Sequence, residues 1–367
     1  MTALGIALTV AIAIMIMSLL AGLRQAFVQS GDPLNVLVMR KGAEAEMQSW
    51  VQMEQAQTLK YLPGVARASG GEPLASDECA VMIVLRRRNG TGDVNVTLRG
   101  MSQNGPELRP NVRLVEGRWF RSGHREIVIS RSIHERFEGA ELGKALRFGR
   151  GLWTVVGVFD ANGGAQDSEI WGHVNQMEQD FDRSGGYSSV LLRATDPAAA
   201  MALKKRVGDD QRLKMDGVLE TDYYTAQTKS GAPIQFVGMI VGIIMAIGSS
   251  FAAMNTMYAA VAYRSREIAT LRTIGFSRGS ILISFVIEAV LLSLIGAAAG
   301  ILLMLPFNNL TTGTSNAVTF SEVVFRMRMT PEVLLTATLF AVVMGVTGGV
   351  APAWHASRQD ILVALRD

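Results

Sequence analysis

The chain is 367 residues long and carries a formal net charge of +3 at pH 7. Hydrophobic residues make up 49% of it and charged residues only 18%, which argues against a purely soluble protein and favours several membrane spans with one or two folded domains. The basic and acidic residues of the middle region nearly balance, so nothing indicates a nucleic-acid partner. The single cysteine, Cys79, excludes a disulfide within the chain.

The first predicted element is a membrane helix over residues 1–23. This run is uncharged and apolar, and it is long enough to cross a bilayer hydrocarbon core of about 30 Å. A cleaved secretory signal is the competing interpretation, but it would need a basic leader, a shorter apolar core and a small-residue cleavage site. We therefore expect a retained first transmembrane helix.

Residues 24–232 change in character and predict an extracytoplasmic domain of mixed α and β structure, in two subdomains. Residues 43–61 have helical composition. The predicted strands are 79–87, 94–99, 126–130, 153–159 and 188–193, with a hairpin turn at Asn89-Gly90 between the first two. Asp196-Pro197 predicts the start of a helix that continues to about residue 207.

Two long apolar runs follow, at 233–263 and 279–305, and predict the second and third transmembrane helices. The segment 264–278 between them is basic. Its arginines are Arg264, Arg266, Arg272 and Arg278. Because positively charged connections are enriched on the cytoplasmic side, we expect this turn to lie in the cytoplasm.

The basic turn has the pattern of a short helix. Its apolar residues recur at roughly helical spacing and include Ile268, Leu271 and Ile274. Gly275 suits the left-handed residue that ends a helix, and Ser277 fits the cap of the next one. Such a helix indicates a docking surface for another protein; a membrane-surface anchor is the alternative.

The last elements are a polar extracytoplasmic loop over 306–331, a fourth transmembrane helix over 332–354 and a cytoplasmic tail over 355–367. In the tail, Ser357 followed by Asp360 resembles a further helix start. If the arginine turn is inside, counting crossings places the large domain outside the cell inner (plasma) membrane and both chain termini in the cytoplasm.

Small residues recur at every fourth position in three of the predicted membrane helices. They are Gly238, Gly242, Ala246 and Ser250, then Gly296 and Gly300, then Gly345 and Gly349. In lipid, close backbone approach at such ridges supplies much of the helix packing. They predict packing within this chain's own bundle, or the seam of a homodimer.

Two polar residues of the membrane segments are candidates for a special role, Asn255 and Glu288. Apart from Glu332, the first residue of the fourth span, Glu288 is the only acid inside a predicted span. A buried ionisable group in a membrane is costly, which suggests function. A hydrogen-bonded structural role near the inner face is the alternative.

Catalytic and metal-binding motifs are missing from the sequence. The nearest approach to a phosphate loop, at 139–145, is one residue short and lacks the serine or threonine that would hold magnesium. The four histidines show no zinc spacing, and we expect them to be ordinary surface residues. We therefore expect a non-catalytic chain, with no metal, whose energy is supplied by another polypeptide.

The membrane residues resemble the conserved segment of MacB/FtsX-type ABC transporter permeases, which include the LolC and LolE lipoprotein-release subunits. The matching residues are Asn255, Thr256, Met257, Arg264, Arg266, Glu267, Ile268, Leu271, Arg272, Ile274, Gly275, Glu288 and Gly296. The run 352–358 resembles the family's C-terminus, and 4–7 its first helix. The run 116–120 resembles a phrase of the family's outer core domain.

The resemblance implies an α-helical membrane protein with four transmembrane helices plus an α+β extracytoplasmic domain inserted between helices 1 and 2. It implies that 264–278 is a coupling helix seated on a separate cytoplasmic ABC ATPase, contacted through Arg264, Arg266, Glu267, Ile268, Leu271, Arg272, Ile274 and Gly275. ATP and magnesium would be bound by that partner. A second permease copy, as homodimer or similar heterodimer, and a periplasmic adaptor or outer-membrane partner are further implied.

Taken together, we expect a permease subunit that couples ATP hydrolysis in the partner to motion of its periplasmic domain, for export or release of a lipophilic or peptide substrate such as a lipoprotein, lipid or drug. The alternative is a membrane receptor or regulator that senses a ligand or activates a cell-wall hydrolase. The sequence departs from the resemblance in two ways. No ATPase domain is fused within these residues, and the usual basic segment before the first helix is missing.

Overall fold

A computed structural model describes residues 2–90, 92–316 and 319–358. It divides the chain into two compact units. The membrane unit consists of Met1–Gly22, Gly231–Leu310 and Met327–Asp367, and the outer unit of Leu23–Ser230 and Thr311–Arg326. The expected helix start at Ser357 and Asp360 extends beyond the described residues.

The described residues contain ten α-helices. They are α1 (Thr2–Val28), α2 (Met53–Lys60), α3 (Arg131–Arg136), α4 (Val174–Asp180), α5 (Pro197–Asp209), α6 (Glu220–Gln227), α7 (Ala232–Tyr263), α8 (Ser265–Ile274), α9 (Arg278–Met304) and α10 (Pro331–Ser357). Four of them, α1, α7, α9 and α10, are long and apolar enough to cross a membrane. The four spans expected from the sequence are therefore present as helices.

The described residues contain fourteen strands. They are β1 (Asn35–Arg40), β2 (Val51–Gln52), β3 (Ala75–Arg86), β4 (Asp93–Met101), β5 (Arg113–Gly117), β6 (Glu126–Ser130), β7 (Ala145–Phe148), β8 (Gly151–Asp160), β9 (Glu169–His173), β10 (Gly186–Tyr187), β11 (Ser189–Arg193), β12 (Met215–Leu219), β13 (Thr311–Ser315) and β14 (Glu322–Arg326). All five predicted strands are confirmed, with ends shifted by a few residues.

Most of the strands form one mixed sheet in the outer unit, in the order β12-β1-β11-β3-β4-β9-β6-β8-β5, with β7 paired to β8. The pairs β4–β9 and β6–β8 are parallel, and the other pairs of this sheet are antiparallel. The predicted hairpin is β3–β4, which pairs Arg86 with Asp93 at its turn end. The fold is thus the α+β type expected, inserted between α1 and α7.

Three hydrophobic clusters of the described residues lie along this sheet. The first packs α2 and α5 on the sheet through residues such as Leu59, Leu203 and Val190. The second collects Ile127, Trp153 and their neighbours beside α3, and the third includes Phe159 and Trp171. Because the long strand β3 contributes residues to the first and second clusters, these two clusters share one continuous scaffold.

The prediction of a helix over residues 43–61 is mostly wrong. Only Met53–Lys60 is α-helical, and a short 3-10 helix occupies Glu46–Gln48. Between them, β2 pairs with β10, which lies far along the chain. This long-range pairing overrides the local helical composition, and Gln52 then starts α2 through a capping box with Gln55.

The expected loop over 306–331 also contains regular structure. Its middle forms the antiparallel hairpin β13–β14, in which Thr311 pairs with Arg326 and Ser315 with Glu322. This hairpin belongs to the outer unit. The residues on either side of it belong to the membrane unit and lead to α9 and α10.

Candidate functional site: the arginine turn

The arginine turn is built around α8, which starts directly after the end of α7. Gly275 closes α8 with a φ of 111°, a left-handed conformation that a residue with a side chain adopts only at a cost. The backbone N–H of Phe276 donates to the carbonyl of Leu271 at 3.1 Å, as expected for a helix closed by a left-handed glycine. Ser277 then caps α9 by accepting from the N–H of Ser280 at 3.1 Å.

One face of α8 is buried within the membrane unit. Ile268 is 4% exposed and Ala269 is 3% exposed. Ile268 lies in a cluster with Val261 of α7, Phe285 of α9 and Ala353 of α10. Because three membrane helices contribute to this cluster, α8 is held at their common end by apolar packing.

Two arginines add polar attachments. The Arg272 Nη1 donates to the carbonyl oxygen of Ser357, at the end of α10, at 2.7 Å. The Arg264 Nη1 lies 3.4 Å from the Glu288 Oε2 of α9. Cations suit the carbonyl end of a helix, so Arg272 fastens α8 to α10 at a favourable position.

The opposite face of α8 is exposed and largely apolar at its end. Leu271 is 41% exposed, Ile274 72% and Phe276 52%. Arg266 and Glu267, on the first turn of α8, are exposed beside them. An apolar ridge flanked by charges on a fixed helix is a surface that can dock against another protein.

The structure therefore divides the eight residues that the resemblance assigns to ATPase contact. Ile268 faces the interior, so it positions α8 and does not offer a contact surface. Arg264 and Arg272 bond within the chain. The exposed members of the set are Arg264, Arg266, Glu267, Leu271, Ile274 and Gly275.

Most of the small residues at fourth positions face other helices of the same chain. A Cβ placed on Gly300 would lie 2.7 Å from the carbonyl of Ala7, and one on Gly296 would lie 2.9 Å from Ile6. Gly345 and Gly349 in the same way approach α9, and Gly238 approaches α1. Gly242 has nothing within 4 Å. Ala246 packs against the α1–α9–α10 core, and the Ser250 and Thr347 hydroxyls lie 3.1 Å apart.

Glu288 borders a small cavity between the membrane helices, with a volume of about 60 Å³. Gly345, Gly348 and Gly349 leave this space open on the side of α10, and Thr256 of α7 lines it as well. The observed contact with Arg264 gives Glu288 an ionic partner. Asn255, the other polar candidate, lies on the exposed side of α7.

The interior of the outer unit holds a charge cluster that the sequence analysis missed. Arg99, on β4, donates to the carboxylates of Glu46, Glu78 and Glu169 at 2.7–2.9 Å. Arg109 donates to Glu78. All five side chains are nearly buried, so their charges depend on one another for stability. A charged residue that alternates with apolar residues in a strand, such as Arg99, is usually predicted to face solvent. The sequence pattern therefore gives no indication of a buried charge cluster.

The expectation that all four histidines are surface residues is wrong for His173. It is 6% exposed and its Nδ1 accepts from the N–H of Asn175 at the start of α4. Burial lowers the pKa of His173 below its ordinary value. Within the described residues, no cluster of histidine, cysteine and acidic side chains is arranged to hold a metal ion.

Two family models match the chain. One, described as the MacB-like periplasmic core domain, covers residues 1–209, and the other, described as the FtsX-like permease C-terminal region, covers residues 239–361. These matches place the chain in the class of ABC transporter permeases. Within that class it belongs to the MacB/FtsX family.

Curated relatives of the chain carry the name MacB. The macrolide export ATP-binding/permease protein MacB of Hahella chejuensis is 26% identical over 310 residues, which cover 77% of this chain and 44% of that protein. The MacB protein of Bordetella avium is 25% identical over 389 residues, which cover 100% of this chain and 57% of the relative. The chain thus spans about half the length of the relatives that it matches.

Two solved structures of transporter domains are similar to part of the chain. The periplasmic region of MacB from Actinobacillus actinomycetemcomitans is 12% identical, covers 53% of this chain and 92% of its own, and has a TM-score of 0.40. The extracellular domain of the ABC-type transporter YknZ from Gram-positive bacteria is 19% identical, covers 50% and 99%, and has a TM-score of 0.36.

Proposed function

We propose that this chain is a permease subunit that receives the energy of ATP hydrolysis from a separate cytoplasmic ATPase and converts it into motion of its periplasmic domain. The observation that carries this proposal is the construction of α8. Its inner face is fixed to α7, α9 and α10, while Leu271 and Ile274 remain exposed. A partner that grips this ridge would move the ends of the membrane helices with it.

The fixation of α8 matters because transmission requires a stiff contact. Apolar packing at Ile268, the Arg272 bond to α10 and the Arg264–Glu288 contact hold α8 at separate points. A flexible loop in the same place would absorb the partner's movement. The chemistry of ATP, with its magnesium ion, would belong to the partner, and this chain would act without catalysis.

The proposed orientation is supported by the arginines of residues 264–278, since basic connections between membrane helices are enriched on the cytoplasmic side. In this orientation α8 and both chain termini lie in the cytoplasm. The outer unit then lies in the periplasm of an inner-membrane protein. The relatives are named as macrolide export proteins. For this chain we propose export or release of a lipophilic or peptide substrate. The proposed assembly contains two permease copies, identical or similar, and a periplasmic adaptor.

The experiment that tests the docking surface is co-purification of the full chain with its ATPase after the change Leu271→Asp. A carboxylate on the exposed ridge would have to be desolvated on docking, so we expect at least a tenfold loss of affinity, which equals about 1.4 kcal/mol. Glu267→Arg should weaken binding too. These positions are preferable to Arg272, whose bond to Ser357 would confound the result.

The matched control is Leu142→Asp, because Leu142 is 45% exposed, much as Leu271 is at 41%, but lies in the outer unit. It should leave co-purification unchanged. Equal binding by the wild type and the Leu271→Asp variant would contradict the proposal. If the wild type binds the ATPase but shows no activity in a transport assay, the result would instead favour the receptor or regulator.

A further inference from the structure

The hairpin β13–β14 is covalently continuous with membrane helices but folds as part of the outer unit. It follows α9 after a 3-10 turn at Leu305–Phe307, and only a few residues separate Arg326 from the start of α10. The outer unit therefore receives the chain at three places: within α1, before α7, and at this hairpin. The hairpin is the only one of these attachments, within the described residues, that has no strand in the large sheet.

The hairpin is joined to the rest of the outer unit by an ion triad with a buried carboxylate and two partly exposed arginines. Glu322, at the start of β14, is 5% exposed, and its Oε1 accepts from Arg87 Nη2 and from Arg136 Nη2, each at 2.6 Å. Arg87 follows β3, and Arg136 ends α3. One carboxylate thus joins the hairpin to two elements that are far apart in sequence. A Cβ on Gly313 would overlap this carboxylate, so the absence of a side chain at this position of β13 leaves space for Glu322.

Further contacts spread the attachment over the outer unit. The N–H of Val324 donates to the Ser168 Oγ at 2.7 Å, and Asn316 Nδ2 donates to Gln227 Oε1 at 3.0 Å. Asn95 Nδ2 donates to the carbonyl of Phe320 at 3.2 Å. The strand β14 buries Val323, Val324 and Phe325. The hairpin therefore has a defined seat made of both polar and apolar groups.

The seat also covers the charge cluster of the outer unit. A cavity of about 50 Å³ is lined by Ser321 and Glu322 of the hairpin and by Glu46, Arg99 and Glu169 of the cluster. If the hairpin left, Glu322 would lose both of its arginines and the cluster would meet solvent. Arg87 and Arg136 would in turn be left without this carboxylate, so the two ion pairs favour the seated hairpin.

We propose that the hairpin is a latch through which α9 and α10 hold and move the outer unit, with Glu322 as its locking group. This proposal rests on the proposed function, since it supplies a path by which movement that starts at α8 reaches the periplasmic side. Movement carried by the hairpin would reach the outer unit at Arg87 and Arg136. Movement carried by α1 and α7 would reach it at the ends of the domain.

The test is hydrogen exchange of the full chain assembled with its ATPase, with and without ATP, in the wild type and in the Glu322→Gln variant. The variant keeps the shape of the side chain but removes its charge. We expect faster exchange in residues 311–326 and loss of the ATP-dependent change in the outer unit, with co-purification of the ATPase retained. Glu116→Gln, at an exposed carboxylate of the same unit, is the control and should behave as the wild type.

Rescue separates a latch from a merely stabilising contact. In a Cys79→Ala background, Asn95→Cys and Phe320→Cys place two exposed thiols where Asn95 contacts the Phe320 carbonyl, and a short bifunctional thiol reagent can join them. Joining them in the Glu322→Gln variant should restore the ATP response. A full ATP response in the unjoined variant, or no rescue after joining, overturns the latch alone. Absence of any ATP response in the wild-type assembly overturns the proposed function and the latch with it.

Discussion

Glu220 joins the two chain ends of the outer unit. It begins α6, which precedes α7, and its Oε2 accepts from the N–H of Asp32 at 3.0 Å and from Asn35 Nδ2 at 2.8 Å, both next to the start of β1. Burial raises the pKa of Glu220 from its ordinary value of 4.5 to about 7, and nearby Arg109 only partly opposes this. The carboxyl group therefore titrates near neutral pH in the folded protein.

The shift in the pKa of Glu220 predicts a pH-dependent stability. The folded state holds the proton more tightly than the unfolded state, so this group's stabilising contribution is full below about pH 4.5 and is lost as pH rises through about 7. The loss is on the order of 3 kcal/mol at most. We expect Glu220→Gln, which still accepts both hydrogen bonds, to flatten the decline in stability between about pH 4.5 and pH 7, the ordinary and the raised pKa of this group.

The measurement is unfolding of the full chain in detergent, followed by tryptophan fluorescence across that pH range. Glu116→Gln should keep the wild-type pH profile, because Glu116 is exposed. An identical pH profile in Glu220→Gln and the wild type would show that Glu220 is ionised throughout.

At the scale of residues, the sequence predicts the surface of α8 better than the interior of the outer unit. The exposed positions of Leu271 and Ile274 follow from helical spacing, and the role of Gly275 follows from a local turn. Both signals can be read from neighbouring residues in the sequence. Arg99 gains its role from Glu46, Glu78 and Glu169, which reach it only after the sheet has formed. A single sequence carries no local sign of such partners.

At the scale of elements, glycines set how closely the membrane helices pack. Gly300 and Gly242 form a matched pair, because a Cβ on Gly300 would lie 2.7 Å from the Ala7 carbonyl whereas one on Gly242 meets nothing within 4 Å. We expect Gly300→Leu to destabilise the bundle by about 2 kcal/mol through overpacking. Gly242→Leu should leave the stability of the single chain unchanged or slightly increased.

Two measurements on the variants in detergent distinguish these effects. Thermal unfolding gives the melting temperature, and size-exclusion chromatography of the folded protein gives the self-association. The melting temperature should fall for Gly300→Leu only. Equal losses for both variants would contradict the packing described here. Loss of self-association in Gly242→Leu without a lower melting temperature would identify Gly242 as part of a dimer seam.

Elements with strong local signals were predictable. The alternating strands β3, β4, β6, β8 and β11, the capped helix α5 and the four apolar spans all appear near their expected positions. The hairpin β13–β14 was not predicted, because its first strand, Thr311–Ser315, is polar and small and has no apolar alternation. Its stability comes from Arg87, Arg136 and Ser168, which lie far away in the chain.

At the scale of the whole molecule, the chain passes between its two units four times, at residues 22–23, 230–231, 310–311 and 326–327. Two of these passages lie at the ends of the hairpin, and the other two lie at α1 and before α7. A movement of the membrane helices thus has several covalent routes to the outer unit. The proposed function requires that the movement begin at α8, and that α8 and the outer unit lie on opposite sides of the membrane.

The most direct test of this arrangement is thiol labelling in right-side-out membrane vesicles, using Thr273→Cys on α8 and Leu142→Cys on the outer unit, each in a Cys79→Ala background. Both positions are exposed. The account predicts that an impermeant maleimide labels position 142 in intact vesicles but labels position 273 only after permeabilisation, and that bound ATPase then shields position 273. Labelling of position 273 in intact vesicles, or equal labelling with and without bound ATPase, would contradict it.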